Sequence, residues 1–599
     1  MNIDNNAPLP LLAYRYAHES TQATTGYFSC LPPEDMDTEA ALQRLEAAPM
    51  DEFLHLHILR HLIEKDIATL RDVATSCYDV DSNVFTRPVL AALVAECALL
   101  AAGGTNDMAQ ALAQIGLPAD AAHRLATWSP TVHLRAYSLP NHAAAAAWSA
   151  FFRRNICEHR SLPAPDEVSI PQLFTEAEID NQIEQLKKNS GSLAKLSASM
   201  AKNPGPVVSR PLAQQTYLRA LDALMENGFL EGQEMRHEAS LSPIALLRDW
   251  QVNLCVENGA LQHLLKGKAT AYGRGLSLAA ARASYAMEIV ERASAYVSVQ
   301  PGDGTATHAG SISDRKHPLT LRRARRSELI AEGLVALDPD CLPLDVPYND
   351  APLYWLPAVN TRGERVLVPA QAVFLFCNLD ETSLFQASGS TGLAAGNTMD
   401  EAVVAALTEI VERDAEATTP FVRSQCFVLQ SRDARIQSLL DDYANCGIHV
   451  QFQDITTELG LPAYQCFVQG QDGNVARATA ASVSGPQAAL SALTETPWPY
   501  STTQTTLPHP SGPGLSGLPV RILEDLPDYS LPSAAANRRL LEGLLLAQGR
   551  EPLYIDITRS DLDIPVVRAI VPGLQLTAEL DRFSRPCLRL FARYAALFR

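Results

Sequence analysis

Apolar and polar positions divide the chain into two unlike parts. In residues 1–205 leucine, alanine and aromatic side chains recur at helical spacing, most clearly in runs 39–48, 51–72 and 143–154, with few β-branched clusters between them. That periodicity predicts helices. The stretch 187–206 (KKNSGSLAKLSASMAKNPGP) is rich in Lys, Ser, Gly and Pro and marks a boundary near residue 205. Beyond it, helical stretches alternate with short strand-like runs at 366–369, 372–377, 448–454, 463–469, 553–558 and 565–571. Such alternation predicts an α/β or α+β domain over 206–599, preceded by an all-α domain over 1–205.

A length of 599 residues exceeds one ordinary core, and 47% hydrophobic with 19% charged residues is a globular composition. The net charge of −19 argues against nucleic acid as the main partner, because neutralising phosphates needs a basic surface. The basic run Arg322-Arg323-Ala324-Arg325-Arg326 reads as a solvated face of a surface helix. Residues 1–10 lack the basic and apolar segments of a secretory signal. The most apolar window, 89–102, is interrupted by Glu96 and is shorter than a membrane span. Eleven cysteines are scattered singly, without a C-x-x-C pair, which fits reduced thiols better than disulfides or a zinc site. A soluble, cytoplasmic protein without membrane contact is expected. His55, His57 and His61 form H-x-H-x-x-x-H, the last two on one helix face. With no acidic or cysteine partner in view, they read as polar residues of an amphipathic helix.

One pentapeptide occurs twice: Glu288-Ile289-Val290-Glu291-Arg292 and Glu409-Ile410-Val411-Glu412-Arg413. Glutamates three apart are neighbours on a helix, about 5–6 Å between Cβ atoms. Carboxylates that close repel unless a cation, proton or basic group lies between them. Alone, each copy is also a surface helix with an i,i+4 ion pair, Glu288 with Arg292 and Glu409 with Arg413, worth about 0.2–0.5 kcal/mol. The residues before each copy are small and apolar, as a buried helix requires, and buried carboxylates need partners. Mg2+ ions usually bridge a few carboxylates to phosphate oxygens, so two such pairs direct attention to Mg-nucleotide chemistry. Each copy follows a glycine-bearing turn, Tyr272-Gly273-Arg274-Gly275 or residues 389–397, whose amides suit phosphate oxygens. The chain contains no Walker loop, G-x-S-x-G elbow, H-E-x-x-H or kinase H-R-D set.

The stretches A-T-A-Y-G-R-G-L-S-x-x-x-A-R-A-S-Y-A-M-E-I-V-E-R and S-T-G-L-A-A-G-N-T-M-D-E-A-V-V-A-A-L-T-E-I-V-E-R-D-A resemble the YcaO-domain family. A-L-T-E at 492–495 and I-P-V-V-R-A-I-V-P-G-L at 564–574 add to the likeness, which spans roughly 206–580. The resemblance implies ATP and Mg2+ held without a P-loop. It also implies phosphorylation of a peptide backbone amide oxygen, followed by attack of a Cys, Ser or Thr side chain (azoline) or an external sulfur donor (thioamide). By the family pattern, Glu288, Glu291, Glu409 and Glu412 hold Mg2+. Asn397 and Glu401 help bind nucleotide, with Arg274, Ser284 and Arg292 beside the first pair. A helix over 216–228 matches the domain's first helix and brings Thr216 and Arg210 near the nucleotide. The implied partners are a peptide or protein substrate and a sulfur-donor or substrate-presenting protein; the family also includes homodimers.

The chain departs from that pattern in places. Gly273-Arg274-Gly275 stands where the family usually has G-K-G. Ser491 occupies a position commonly held by arginine, and the T-E of the same motif, where a glutamine often follows, is followed here by Thr496-Pro497-Trp498-Pro499-Tyr500. The chain finishes Ala592-Arg593-Tyr594-Ala595-Ala596-Leu597-Phe598-Arg599, without the proline-rich tail of many azoline formers. An amide-activating enzyme of the thioamide or other non-azoline kind is the leading expectation. A non-catalytic ATP-binding module and a scaffold whose helical part captures a protein are the alternatives. No catalytic side chain of the protein itself is identified.

Overall fold

The computed structural model describes residues 10–19, 27–102, 108–189, 192–202, 205–237, 240–375, 378–386, 389–469, 475–498, 517–576 and 580–599. Pro499 and Tyr500 of the late motif and Cys377 lie outside them.

The first 205 residues are rich in helix, as their periodicity predicts, including α1 (Glu52–Ile63), α2 (Pro88–Ala101), α3 (His142–Ile156) and α4 (Glu176–Asn189). The expected single helix over 51–72 is two. Asp66 caps the second, Ile67–Cys77, its Oδ1 accepting from the Thr69 amide at 2.8 Å. Capping of this kind favours a fresh helix start over continuation. α2 is buried over Val89–Leu99 and includes one charged residue, Glu96. Glu96 lies 3.0 Å from His55 Nε2 and 2.5 Å from His133 Nδ1, and accepts from Ser129 Oγ (3.0 Å) and Thr131 Oγ1 (2.9 Å). His55 therefore has an acidic partner that its own motif does not reveal. His57 and His61 meet edge to face with centroids 4.6 Å apart. Among the described residues, no three His, Cys, Asp or Glu side chains form a metal-holding group.

Among the described residues four strands accompany these helices, which the helical reading of residues 1–205 did not include: the short pair Tyr78–Asp79 and Val84–Phe85, and the longer β1 (Leu12–Glu19) and β2 (Tyr27–Leu31). Leu12, Tyr14 and Tyr16 are buried in the two-residue period of a half-buried strand. They extend a sheet made with β3 (Leu230–Arg236), β4 (Ile244–Asn258) and β5 (Leu261–Gly275), in the order β2-β1-β5-β4-β3. β1 runs parallel to β5, Leu12 opposite His263. Helices α5 (Ala213–Glu226) and α6 (Leu278–Ala295) pack on each other, and α6 lies against β5. The helix expected over 216–228 is thus present as α5.

A second sheet contains Gln300–Thr305, His308–Ile312, Leu319–Ala324, Leu353–Asn360, Arg365–Pro369, β6 (Leu393–Ala395), β7 (Leu553–Asp556) and β8 (Val566–Ile570). A third contains Cys426–Gln430, Gln451–Asp454, Ala463–Gln469, Val475–Ala481 and Val520–Ile522. Of the run expected as a strand over 372–377, the described residues 372–375 are not one. Val373 and Phe374 give their amides to the Ala370 carbonyl and bury their side chains in a turn, so local hydrogen bonds replace a ladder. The basic run is not a helix face either. It ends strand Leu319–Ala324 and begins a short helix, with Arg322 bonded to Glu332, Arg325 donating to the Asp350 carbonyl (2.8 Å) and Arg326 3.5 Å from Asp338. Helices α7 (Met399–Thr418), α8 (Gly485–Glu495) and α9 (Leu588–Ala596) complete the elements around the site. Described cysteines are free thiols, and among the described residues no helix is long and apolar enough to cross a membrane.

Candidate active site

Both E-I-V-E-R copies are helical, on α6 and α7. Ser277 caps α6, its Oγ accepting from Ala280 N (3.2 Å), and Thr398 caps α7 by accepting from Glu401 N (3.2 Å). The first glycine pair does not form a turn: Tyr272–Gly275 is the end of β5. A Cβ on Gly273 would sit 2.0 Å from the Ala281 carbonyl oxygen, so glycine lets α6 close onto the strand. Gly392 has φ +84, and a Cβ there would lie 2.4 Å from the Ala569 carbonyl oxygen. Gly392→Ala is expected to cost at least about 1–2 kcal/mol from the left-handed backbone alone. Thermal melting checks this, and an unchanged midpoint would contradict it.

β6 packs against both helices, and Gly392 just before it and Ala395 at its end supply amides to one glutamate of each. Gly392 N donates to Glu409 Oε2 (3.1 Å), and the Ala395 amide to Glu291. Tyr272 N donates to Glu288 Oε2 (2.9 Å) and Ala481 N to Glu412 Oε2 (3.1 Å). The backbone amides of Tyr272 and Gly392 are thus engaged by carboxylates. The four glutamates act on one another electrostatically, Glu291 with Glu409 and Glu288 and Glu412 with Glu409, at separations wider than a preformed metal-holding group. Burial pushes the Glu291 carboxyl up to about 8, and Glu409 and Glu288 add to the shift against Arg292. Burial likewise raises Glu288, and raises Glu412 well above the usual carboxylate range, with Glu495 and Glu409 contributing.

The arginines of the repeat sit beside their own glutamates. Arg292 is 3.6 Å from Glu291 and 3.9 Å from Glu288, and Arg413 is 3.8 Å from Glu412 and 3.2 Å from Glu416. The i,i+4 pairing of Glu288 with Arg292 is therefore present, while Arg413 turns to Glu412 and Glu416. Ser284 is exposed one turn before Glu288, on the same helix face. Arg274, at the end of β5, acts electrostatically on both Glu288 and Glu495, and its Nε is buried without a hydrogen-bond partner.

Arg210, Thr216, Asn397 and Glu401 form a second cluster at the start of α7. Glu401 accepts from Asn397 N (3.1 Å) and Nδ2 (2.9 Å), Thr216 Oγ1 donates to Asn397 Oδ1 (3.0 Å), and Arg210 lies 3.6 Å from Glu401. Arg219 donates to the Asn397 carbonyl (3.2 Å). A cavity of about 530 Å3 opens here, lined by Arg210, Gln215, Arg219 and Asn397 among others. Glu401 and Glu409 are eight residues apart on one helix, about 12 Å along its axis.

Two groove residues were not singled out from the sequence as site residues. Glu495, at the end of α8, feels Glu409 and Glu288. Surrounding protein raises its carboxyl, Arg274 and Arg413 oppose the shift and Glu409 and Glu288 add to it, while the residue stays open to solvent. Arg568 on β8 is 3% exposed and donates to the Gly389 carbonyl (2.9 Å), with Nε unpartnered. Burial lowers its guanidinium to about 10, while Glu409 and Glu291 favour its charge. Both belong to stretches that carry the family resemblance, A-L-T-E and I-P-V-V-R; these motifs were the available signal.

Residues 272–575 match the family model described as YcaO cyclodehydratase, ATP- and Mg2+-binding. An uncharacterized protein of Methanothermobacter thermautotrophicus is 31% identical over 358 residues, covering 52% of this chain and 84% of that protein. Among solved structures, a heterocyclase in complex with substrate and cofactor is 17% identical with a TM-score of 0.47, covering 66% of this chain. The chain spans only 58% of that heterocyclase's length. YcaO from Methanopyrus kandleri, bound with AMPPCP and Mg2+, is 20% identical with a TM-score of 0.41, covering 61% of this chain and 91% of that one. With about half its length in the family match and a relative covered over most of its own length, this chain belongs to the YcaO family, whose domain takes ATP and Mg2+.

Proposed function

We propose that this protein binds Mg-ATP in the groove between α6, α7 and α8 and activates a backbone amide of a peptide or protein. The observation that carries this reading is that Glu288, Glu291, Glu409, Glu412 and Glu495 repel one another, with raised carboxyl groups among them, although they form no closed ligand set without the phosphates. Mutual repulsion of that kind is what a divalent cation relieves. The donors are all oxygens, as Mg2+ prefers, and incomplete protein coordination suits an ion that completes its shell with phosphate and water. The guanidinium groups of Arg274 and Arg568 place positive charge beside these carboxylates, which suits phosphate oxygens.

In this reading Glu288, Glu291, Glu409 and Glu412 hold Mg2+, and Glu495 adds negative charge at the groove's edge. Arg274, Arg292 and Arg568 face the phosphates. Ser284 lies beside them on the open face of α6. The cluster of Arg210, Thr216, Asn397 and Glu401 holds the rest of the nucleotide. When bound, Mg-ATP supplies the phosphoryl group that turns an amide oxygen into a leaving group. The chain's own work is to hold the phosphates, orient the incoming amide and spread the developing charge over its arginines. A sulfur or side-chain nucleophile then adds to the amide carbon, with thioamide or azoline as product class. A sulfur-donor or substrate-presenting protein is the proposed partner, and residues 1–205 are the proposed interaction domain.

One observation favours a second reading, a non-catalytic ATP-binding module. Ser491, standing where the family commonly has arginine, has a hydroxyl that accepts locally from Gln487 Nε2 at 3.1 Å and brings no positive charge. ADP release measured with and without a peptide encoded beside this gene separates the two. Turnover that rises with peptide is expected; tight ATP binding without turnover would favour the module.

A further inference from the structure

α9 lies along α7, the helix that carries Glu409 and Glu412. Arg589 Nη1 donates to Asp414 Oδ2 at 2.5 Å, and Nη2 to Asp414 Oδ1. One turn further on both helices, Arg593 bonds to Thr418 and reaches Glu458. Both rungs are enclosed: the Asp414 side chain is 0% exposed and Thr418 is buried. Asp414 also accepts from Gln575 N (2.8 Å), and Arg589 donates to the Gly573 carbonyl (3.1 Å). The turn after β8 is thereby tied to the same point. On its other side α9 packs Phe591 and Tyr594 against Trp148 and Phe152 of α3.

Apolar residues would anchor a helix at least as well as a buried ion pair; what a bidentate pair adds is a fixed orientation. Asp414 is two residues past Glu412, about 200° round the helix. Fixing it therefore fixes the direction in which Glu412 and Glu409 point. A rotation of about 20° moves a carboxylate ~6 Å from the axis by about 2 Å. Mg2+ does not tolerate such a displacement, because it demands near-ideal octahedral geometry.

We propose that Arg589 is a positioning residue for Glu409 and Glu412, setting the rotation of α7 through Asp414. The inference rests on reading the groove as a Mg-ATP site. It is tested by titrating ATP binding with MgCl2 in the full chain, alongside thermal melts. Arg589→Met, and the double change Arg589→Met with Asp414→Leu, are expected to raise the Mg2+ concentration for half-maximal binding about 10-fold or more, the scale of lost support behind a metal ligand. Arg589→Lys, which keeps the charge without the fork, should fall between these and the wild type. The double variant leaves no unpaired charge and should melt near the wild type. Leu93→Ala, a fully buried change in α2, should lower the melt without moving the Mg2+ curve. An unmoved Mg2+ curve in the double variant, an equal shift in Leu93→Ala, or loss of a cooperative melt in both Arg589→Lys and the double variant would overturn the proposal. Failure of the wild type to bind Mg-ATP would instead overturn the functional reading.

Discussion

Glu412→Gln is expected to abolish Mg-ATP binding while the chain stays folded, and Glu291→Gln to do the same. Glutamine keeps the size of the side chain and an oxygen that can accept from Ala481 N, which Glu412 does at 3.1 Å. It removes the negative charge a hard cation requires. A loss of at least about 100-fold in affinity, equivalent to about 2.8 kcal/mol, is expected by calorimetry at fixed MgCl2. The ligand-free melt should move the other way or not at all. A carboxyl raised by burial and by Glu495 and Glu409 is a charge the empty fold accommodates poorly, so neutralising it relieves repulsion. Unchanged affinity in both variants would refute the metal-site assignment. A large fall in the ligand-free melt would show instead that the carboxylates are structural.

The sequence made these helices legible because the repeat places glutamates on one face and apolar residues on the other. Ile289, Val290, Ile410 and Val411 are all buried, as that pattern requires. Strands with alternating or apolar runs were legible for the same reason: Ala463–Gln469 and Val566–Ile570 fall where expected. Other features depend on contacts between distant segments. The β1 strand is defined by its parallel partner β5, with Tyr16 opposite Gly267, and local spacing does not announce such a partner. Apolar residues 372–375 are buried in a turn, which hydrophobicity alone does not distinguish from a strand. Glu495 and Arg568 join the groove only through the packing of α8 and β8. The pairing of Arg589 with Asp414 spans 175 residues and has no local signature.

Glu96 illustrates the same limit and yields the largest stability effect. Glu96→Ala is expected to destabilise the fold by about 3–5 kcal/mol, the usual result of breaking a buried charged cluster by removing one member. His55, His133, Ser129 and Thr131 would lose their common acceptor inside the helical region. Glu96→Gln should cost less, about 1–3 kcal/mol, because an amide oxygen can replace some of those bonds. Burial alone would raise the Glu96 carboxyl; the charges and hydrogen bonds of His55 and His133 outweigh it and hold the carboxyl well below the usual carboxylate range. A folded-state value below the unfolded one, about 4.3, gives stability that is complete above that pH and is lost as pH falls below it. The gap between wild type and Glu96→Gln in denaturant unfolding should therefore be full at pH 7 and shrink below about pH 4. A gap that stays constant to pH 3 would show that Glu96 is not held ionised by the histidines. Since the cluster is built from α1, α2 and residues 129–133, ATP binding by whatever fraction remains folded should keep its wild-type affinity. A parallel loss of affinity would instead tie the helical region to the groove.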